Sequence, residues 1–110
     1  MIFYNIYMNN DDEKLEELNK RLNYNMLYDF YSSLLTERQR KIYELVCFSD
    51  MSLGEAAETL GISRQAVHVM KQRIENKLDL IEKNLHLAET TRILEEKIKK
   101  LEQEIKCLKH

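Results

Sequence analysis

The chain has 110 residues, two glycines, no proline, no tryptophan and a formal net charge of −2. That length suffices for one domain with a modest core, and the scarcity of helix breakers points to an all-helical protein. The charge speaks against a dedicated nucleic-acid binder, which carries a basic surplus. Cys47 and Cys107 are the two cysteines, far apart and without metal-ligand spacing, so neither a metal site nor a cofactor is expected. Cys47 lies in an apolar run and reads as a small core residue, in keeping with a reducing, cytoplasmic setting.

The first eight residues are apolar but lack a basic flank and a small-residue cleavage site. They read as neither a signal peptide nor a membrane span. Met8, followed by Asn9, Asn10 and Asp11, looks like a natural beginning. On that reading residues 1–7 come from an upstream start codon, or they form a frayed end.

Residues 11–35 form the first predicted helical region. Leu15, Leu18 and Leu22 make one stripe, which Met26 or Leu27, Phe30, Tyr31 and Leu34 continue. The acidic start suits a helix N-terminus, and residues 23–25 are a candidate interruption. Tyr24, Tyr28, Tyr31 and Phe30 recur at helical spacing, which favours core packing over a stacking surface. Thr36 opens the next helix in a capping box with Gln39, and Ile42, Leu45, Val46 and Phe48 supply its buried side.

Residues 52–73, SLGEAAETLGISRQAVHVMKQR, read as a helix-turn-helix. Ser52 is an N-cap, with Glu55 three residues on completing a capping box. Leu53, Ala56, Ala57 and Leu60 share one face, and the small Ala57 permits a close helix crossing. Gly61 sits where a left-handed residue ends a helix, Ile62 plugs the gap between helices, and Ser63 caps the second helix. That helix runs on past Arg73, with Val67, Met70, Ile74, Leu78, Ile81 and Leu85 on its inner stripe.

From Leu85 to Leu94 is nine residues, about two and a half turns, so the apolar stripe then changes sides. Either the helix breaks near residues 84–87 or its second half packs on something else. Leu94, Ile98, Leu101, Ile105 and Leu108 follow at alternating spacings of four and three. Isoleucine at a and leucine at d favours a parallel dimer, and Lys97 would face Glu102, and Glu104 Lys109, of a second copy. The rival reading is an amphipathic helix folding back on its own domain.

The outward face of the second motif helix carries Arg64, Gln65, His68, Lys71 and Gln72. In DNA-binding helix-turn-helix proteins this face enters the major groove, where arginine reads guanine and glutamine adenine. Residues 63–77 hold four basic residues against Glu75, and Arg38, Arg40 and Lys41 offer further phosphate contacts. The same face also suits a solvated surface or a protein contact. No phosphate-binding glycine loop, nucleophile elbow or paired metal-binding histidines occur, which speaks against an enzyme.

NYNMLYDFYSSLLTERQRKIYELV, then DMSLGEAAETLGISRQAVHVMKQRIENKL and EKNLHL, resembles the YlxM family of bacterial helix-turn-helix proteins. LYDFY, SLLT, SLGEAAE and ISRQAV are the specific pieces, and the likeness covers residues 23–87. The same half is similar to region 4 of sigma factors, which reads promoter DNA. Members of the YlxM family are associated with the signal recognition particle, chiefly because their genes neighbour that of its GTPase. The resemblance thus implies a regulatory accessory of that pathway, touching its RNA or GTPase. It also places Arg64, Gln65 and His68 at positions that read bases in sigma-like domains. The chain departs from the family pattern at Cys47-Phe48, where tyrosines are common, and at residues 68–70.

The sequence therefore predicts an all-α, sigma-region-4-like helix-turn-helix protein without membrane insertion. Residues 1–10 form an N-terminal extension, 11–87 the domain and 88–110 a coiled-coil-like dimerisation helix. The rival functions are a DNA-binding transcription regulator and a protein-interaction module without nucleic-acid contact.

Overall fold

The computed structural model describes residues 10–49 and 51–109. The expected start at Met8 and the 1–10 extension, apart from Asn10, lie outside the described residues. Among the described residues five α-helices follow one another: α1 (Asn10–Tyr31), α2 (Glu37–Tyr43), α3 (Leu53–Leu60), α4 (Arg64–Leu85) and α5 (Leu87–Leu108). A 3-10 turn, Ser32–Leu34, leads into α2, and a wider π turn, Glu44–Phe48, leads out of it. The described residues contain no strand.

Local chemistry explains most of the boundaries. Thr36 forms the complete capping box: its Oγ1 accepts the Gln39 N–H at 3.1 Å, and Gln39 Oε1 accepts the Thr36 N–H at 3.0 Å. Residues 23–25 do not interrupt α1. Asn25 instead uses its Oδ1 to accept the Tyr43 hydroxyl at 2.7 Å, a cross-helix bond that outweighs its turn preference.

The core lies between α1, α2 and α4, with Leu27, Tyr28, Tyr31, Leu35, Ile42, Tyr43, Ile74 and Leu78 buried together. Its tyrosines keep their hydroxyls at the edge, each with a partner. Tyr24 donates to Asp79 Oδ2 at 2.8 Å, Tyr28 to Glu44 Oε1 at 2.8 Å and Tyr31 to Glu82 Oε1. Tyr28 stacks on Tyr43 with ring centroids 4.5 Å apart, and Phe48 meets both rings edge-on. Cys47 is half-buried against this core, and burial pushes its thiol up from the ordinary value. Leu45 and Val46 are only half-buried, with Val46 packed against both buried clusters, and Phe48 is exposed on its outer side, so the π turn brings less of the expected inner face into the core.

α1 differs more sharply from expectation. Leu15, Leu18, Leu22, Met26 and Phe30 are all exposed, although the sequence put them on the apolar face, while Leu27 and Tyr31 of that stripe are buried together with Tyr28, as the tyrosine spacing predicts. At 100° per residue these two sets lie on opposite sides of the helix. α1 thus has two apolar faces, and the core takes the one whose tyrosines find acceptors.

α4 and α5 meet at His86, the only described residue other than glycine with positive φ, at 55°. This break moves the apolar stripe, and it lies within the span where the sequence reading placed one. Glu82 and Tyr31 fasten the junction. Ala88 N–H donates to Glu82 Oε1 at 3.0 Å, Glu89 N–H to Glu82 Oε2 at 3.1 Å and Leu87 N–H to the Tyr31 hydroxyl oxygen at 3.0 Å. Glu82 thereby supplies α5 with the cap that His86 does not provide. Ala88 is the buried residue of α5; the rest of that helix stands away from the core. The radius of gyration is 18.5 Å, against about 13 Å for a compact chain of this length, and the long axis measures 62 Å.

Candidate nucleic-acid interface

Local bonds build α3 and α4 into the motif that the sequence predicts. Ser52 Oγ accepts the Glu55 N–H at 3.1 Å; only this serine half of the expected capping box forms. Gly61 ends α3 in the left-handed region, at φ 70°, and Ile62 N–H closes the turn on the Ala57 carbonyl at 3.0 Å. Ser63 Oγ accepts the Ala66 N–H at 3.1 Å and starts α4. Ala56, Ala57 and Val67 form a small core of their own, with Ile62 packed against it as predicted.

The candidate contact residues divide into three groups. Gln65, His68 and Gln72 are exposed on the outward face of α4. Lys71 is half-buried and borders a groove between α1 and α4. Arg64 is exposed, yet its guanidinium folds back over the first turn of α3. A Cβ on Gly54 would sit 2.6 Å from an Arg64 terminal nitrogen, so the absence of a side chain at Gly54 makes room for this pose.

The two sides of α4 differ in charge. Towards α1, Lys20, Arg21, His68 and Lys71 are interleaved with Glu17, Glu55 and Glu75. Towards α2, Arg38 and Arg73 flank Gln65, Val69 and Met70 without a carboxylate among the lining residues. The basic edge therefore lies on the α2 side, a sidedness that the sequence count of charges does not convey. Arg40, a suggested phosphate contact, is committed elsewhere: its Nη1 donates to the Leu35 carbonyl at 2.7 Å and the Ser32 carbonyl at 3.2 Å. Lys77 likewise donates to Gln39 Oε1 at 3.1 Å.

Leu94, Ile98, Leu101, Ile105 and Leu108 share one exposed face of α5, and Leu87 extends that face to the helix start. No group of three or more metal-ligating side chains occurs among the described residues. No helix among them is long and apolar enough to cross a membrane.

A capped α3, a glycine turn and a longer α4 with a polar outward face define an all-helical helix-turn-helix protein. The family described as "Putative helix-turn-helix protein, YlxM / p13 like" matches residues 18–110, and the chain belongs to it. Among its relatives, the UPF0122 protein of Halalkalibacterium halodurans is 58% identical over 50 residues, which is 46% of each chain. That of Staphylococcus haemolyticus is 55% identical over 51 residues, again 46% of each chain. The UPF0122 protein of Thermoanaerobacter sp. is 57% identical over 42 residues, covering 38% of this chain and 36% of the relative. The matched stretch thus spans less than half the length of each of these relatives.

Proposed function

We propose that this chain is a non-enzymatic regulatory protein that holds nucleic acid on the outward face of α4. The observation that carries the reading is the placement of exposed Gln65 between Arg38 and Arg73 on the carboxylate-free side of α4, with exposed His68 and Gln72 on the same outward helix face. A polar face for base edges next to paired guanidiniums for phosphates is the division of labour that such interfaces use. The net charge of −2 argues for a modest affinity that needs a second contact. Two copies joined through α5 would supply one. The family resemblance supplies the setting: the signal recognition particle pathway, with its RNA as the ligand and its GTPase as the neighbouring protein partner. We place the chain in the cytoplasm for the same reason.

Capture of the tagged full-length chain from native lysate, identifying RNA and protein together, tests the setting. Particle RNA or GTPase is expected; a single promoter with no targeting component would overturn the assignment in favour of a transcription regulator. Titration of the purified chain with that RNA tests the chemistry. Affinity should fall steeply with salt, and Arg38→Ala with Arg73→Ala should flatten the log–log slope by about 1.4. An unchanged affinity and slope would leave a protein-only contact.

A further inference from the structure

The outer face of α1 and the long face of α5 are both apolar and both uncovered in a single copy. On α1 the apolar residues from Leu15 to Phe30 step by three, four, four and four. Followed backwards from Leu108 to Leu94, those of α5 step by three, four, three and four. Laid antiparallel, the two stripes match rung by rung: Leu15 with Leu108, Leu18 with Ile105, Leu22 with Leu101, and so on to Phe30 with Leu94.

Charge selects that direction. Residues 10–18 hold five carboxylates and one lysine, whereas residues 97–109 hold five lysines and two glutamates. An antiparallel seam sets these ends side by side, and it also opposes the two helix dipoles favourably. A parallel seam would set the acidic beginning of α1 beside residues 87–96, which carry Glu89, Glu95 and Glu96 against Arg92 alone. The flanks of the antiparallel seam agree, since Glu16 comes beside Lys106 and Lys109, and Arg21 beside Glu104.

In a single copy this seam is open. α5 leaves the body at the C-terminal end of α1, held there by Leu87 and Ala88 on Tyr31 and Glu82, and then runs away from it. We propose that two copies exchange arms: α5 of each lies antiparallel along the outer face of α1 of the other, forming two equivalent seams. This rests on the reading that α5 mediates self-association, and it replaces a parallel α5–α5 zipper, which would leave the α1 stripe in water. The arrangement is isologous, so it closes at two copies.

Single cysteines at exposed stripe positions test it in the full chain, with Cys107→Ser throughout to remove the exposed native thiol. Leu18→Cys and Ile105→Cys chains are oxidised separately and as an equal mixture, with light scattering alongside. The exchange predicts a disulfide-linked dimer in the mixture, approaching half of the material, and only traces from either variant alone. Ile105→Cys cross-linking to itself, with nothing added by the mixture, would establish the parallel zipper and overturn the exchange while leaving self-association intact. Absence of the mixed product overturns the exchange in every case, and a mass of 13.2 kDa would remove self-association with it.

Discussion

Glu82 concentrates more structural consequence than any other described carboxylate. One oxygen accepts the Ala88 amide and the Tyr31 hydroxyl, and the other accepts the Glu89 amide. Burial raises its pKa, but those three donors outweigh it and hold the carboxyl below its usual range. A depressed folded value means that this stabilisation is complete at neutral pH, above the unfolded value of about 4.3. It disappears as pH falls through the folded value. Glu82→Gln should lower stability by about 1–2 kcal/mol at neutral pH, comparable to losing a helix cap. It should also flatten the acid limb of a thermal-unfolding series between about pH 5 and 2. An acid limb identical to that of the parent chain would show that other carboxylates set it.

At the level of elements, α3 and α4 depend on one conformational requirement and one steric one. Gly61 is left-handed in open space, with nothing within 4 Å of an added Cβ. Gly61→Ala should therefore cost about 1 kcal/mol through backbone strain alone, read as a parallel fall in denaturation midpoint with unchanged slope. The sequence makes this motif legible because its determinants are local: two serine caps, one glycine and a three-to-four-residue apolar rhythm. Thr36 and Gln39 were legible for the same reason. The face of α1 was legible only in part: the tyrosine packing was, the exclusion of the leucine stripe was not. Leucine and tyrosine stripes both satisfy helical periodicity, and the choice between them falls to acceptors 16 to 55 residues away, at Glu44, Asp79 and Glu82. Nor does a charge count show that Arg40 is spent on two backbone carbonyls or that Arg64 folds over Gly54. Those placements depend on the 3-10 turn and on how closely α3 approaches α4. Gln65, His68 and Gln72 do stand exposed on the outward face of α4, as their helical spacing predicts.

Over the whole molecule, tyrosine hydroxyls tie α1 to α2 and α4, so alkali should undo the fold cooperatively. Burial, with hydrogen bonds to Asp79 and Glu44, pushes Tyr24 and Tyr28 up to about 12. In the unfolded chain both ionise near 10. Groups with raised folded values add stability that is fully present below about pH 10 and is lost as pH climbs through 12. Circular dichroism should therefore hold to about pH 10 and then collapse. Tyrosinate absorbance should show a late fraction that moves to about 10 in urea. A single absorbance step near 10 in the folded chain would refute these ties. The exposed apolar faces act at the same scale: a 62 Å molecule with two uncovered stripes has its tightest packing confined to one end.

His86 gives that shape a mechanical meaning. α5 has 22 residues and is about 33 Å long, and it is anchored only through its first turn. It is a lever with its fulcrum at a single left-handed residue. A change of about 10° in the angle there would carry the far tip roughly 6 Å, close to one helical turn. Whatever the tip grips would receive small strains at the Tyr31–Glu82 clasp as displacements the size of a side-chain layer. The three bonds around Glu82 therefore set the reach of the molecule as much as its stability.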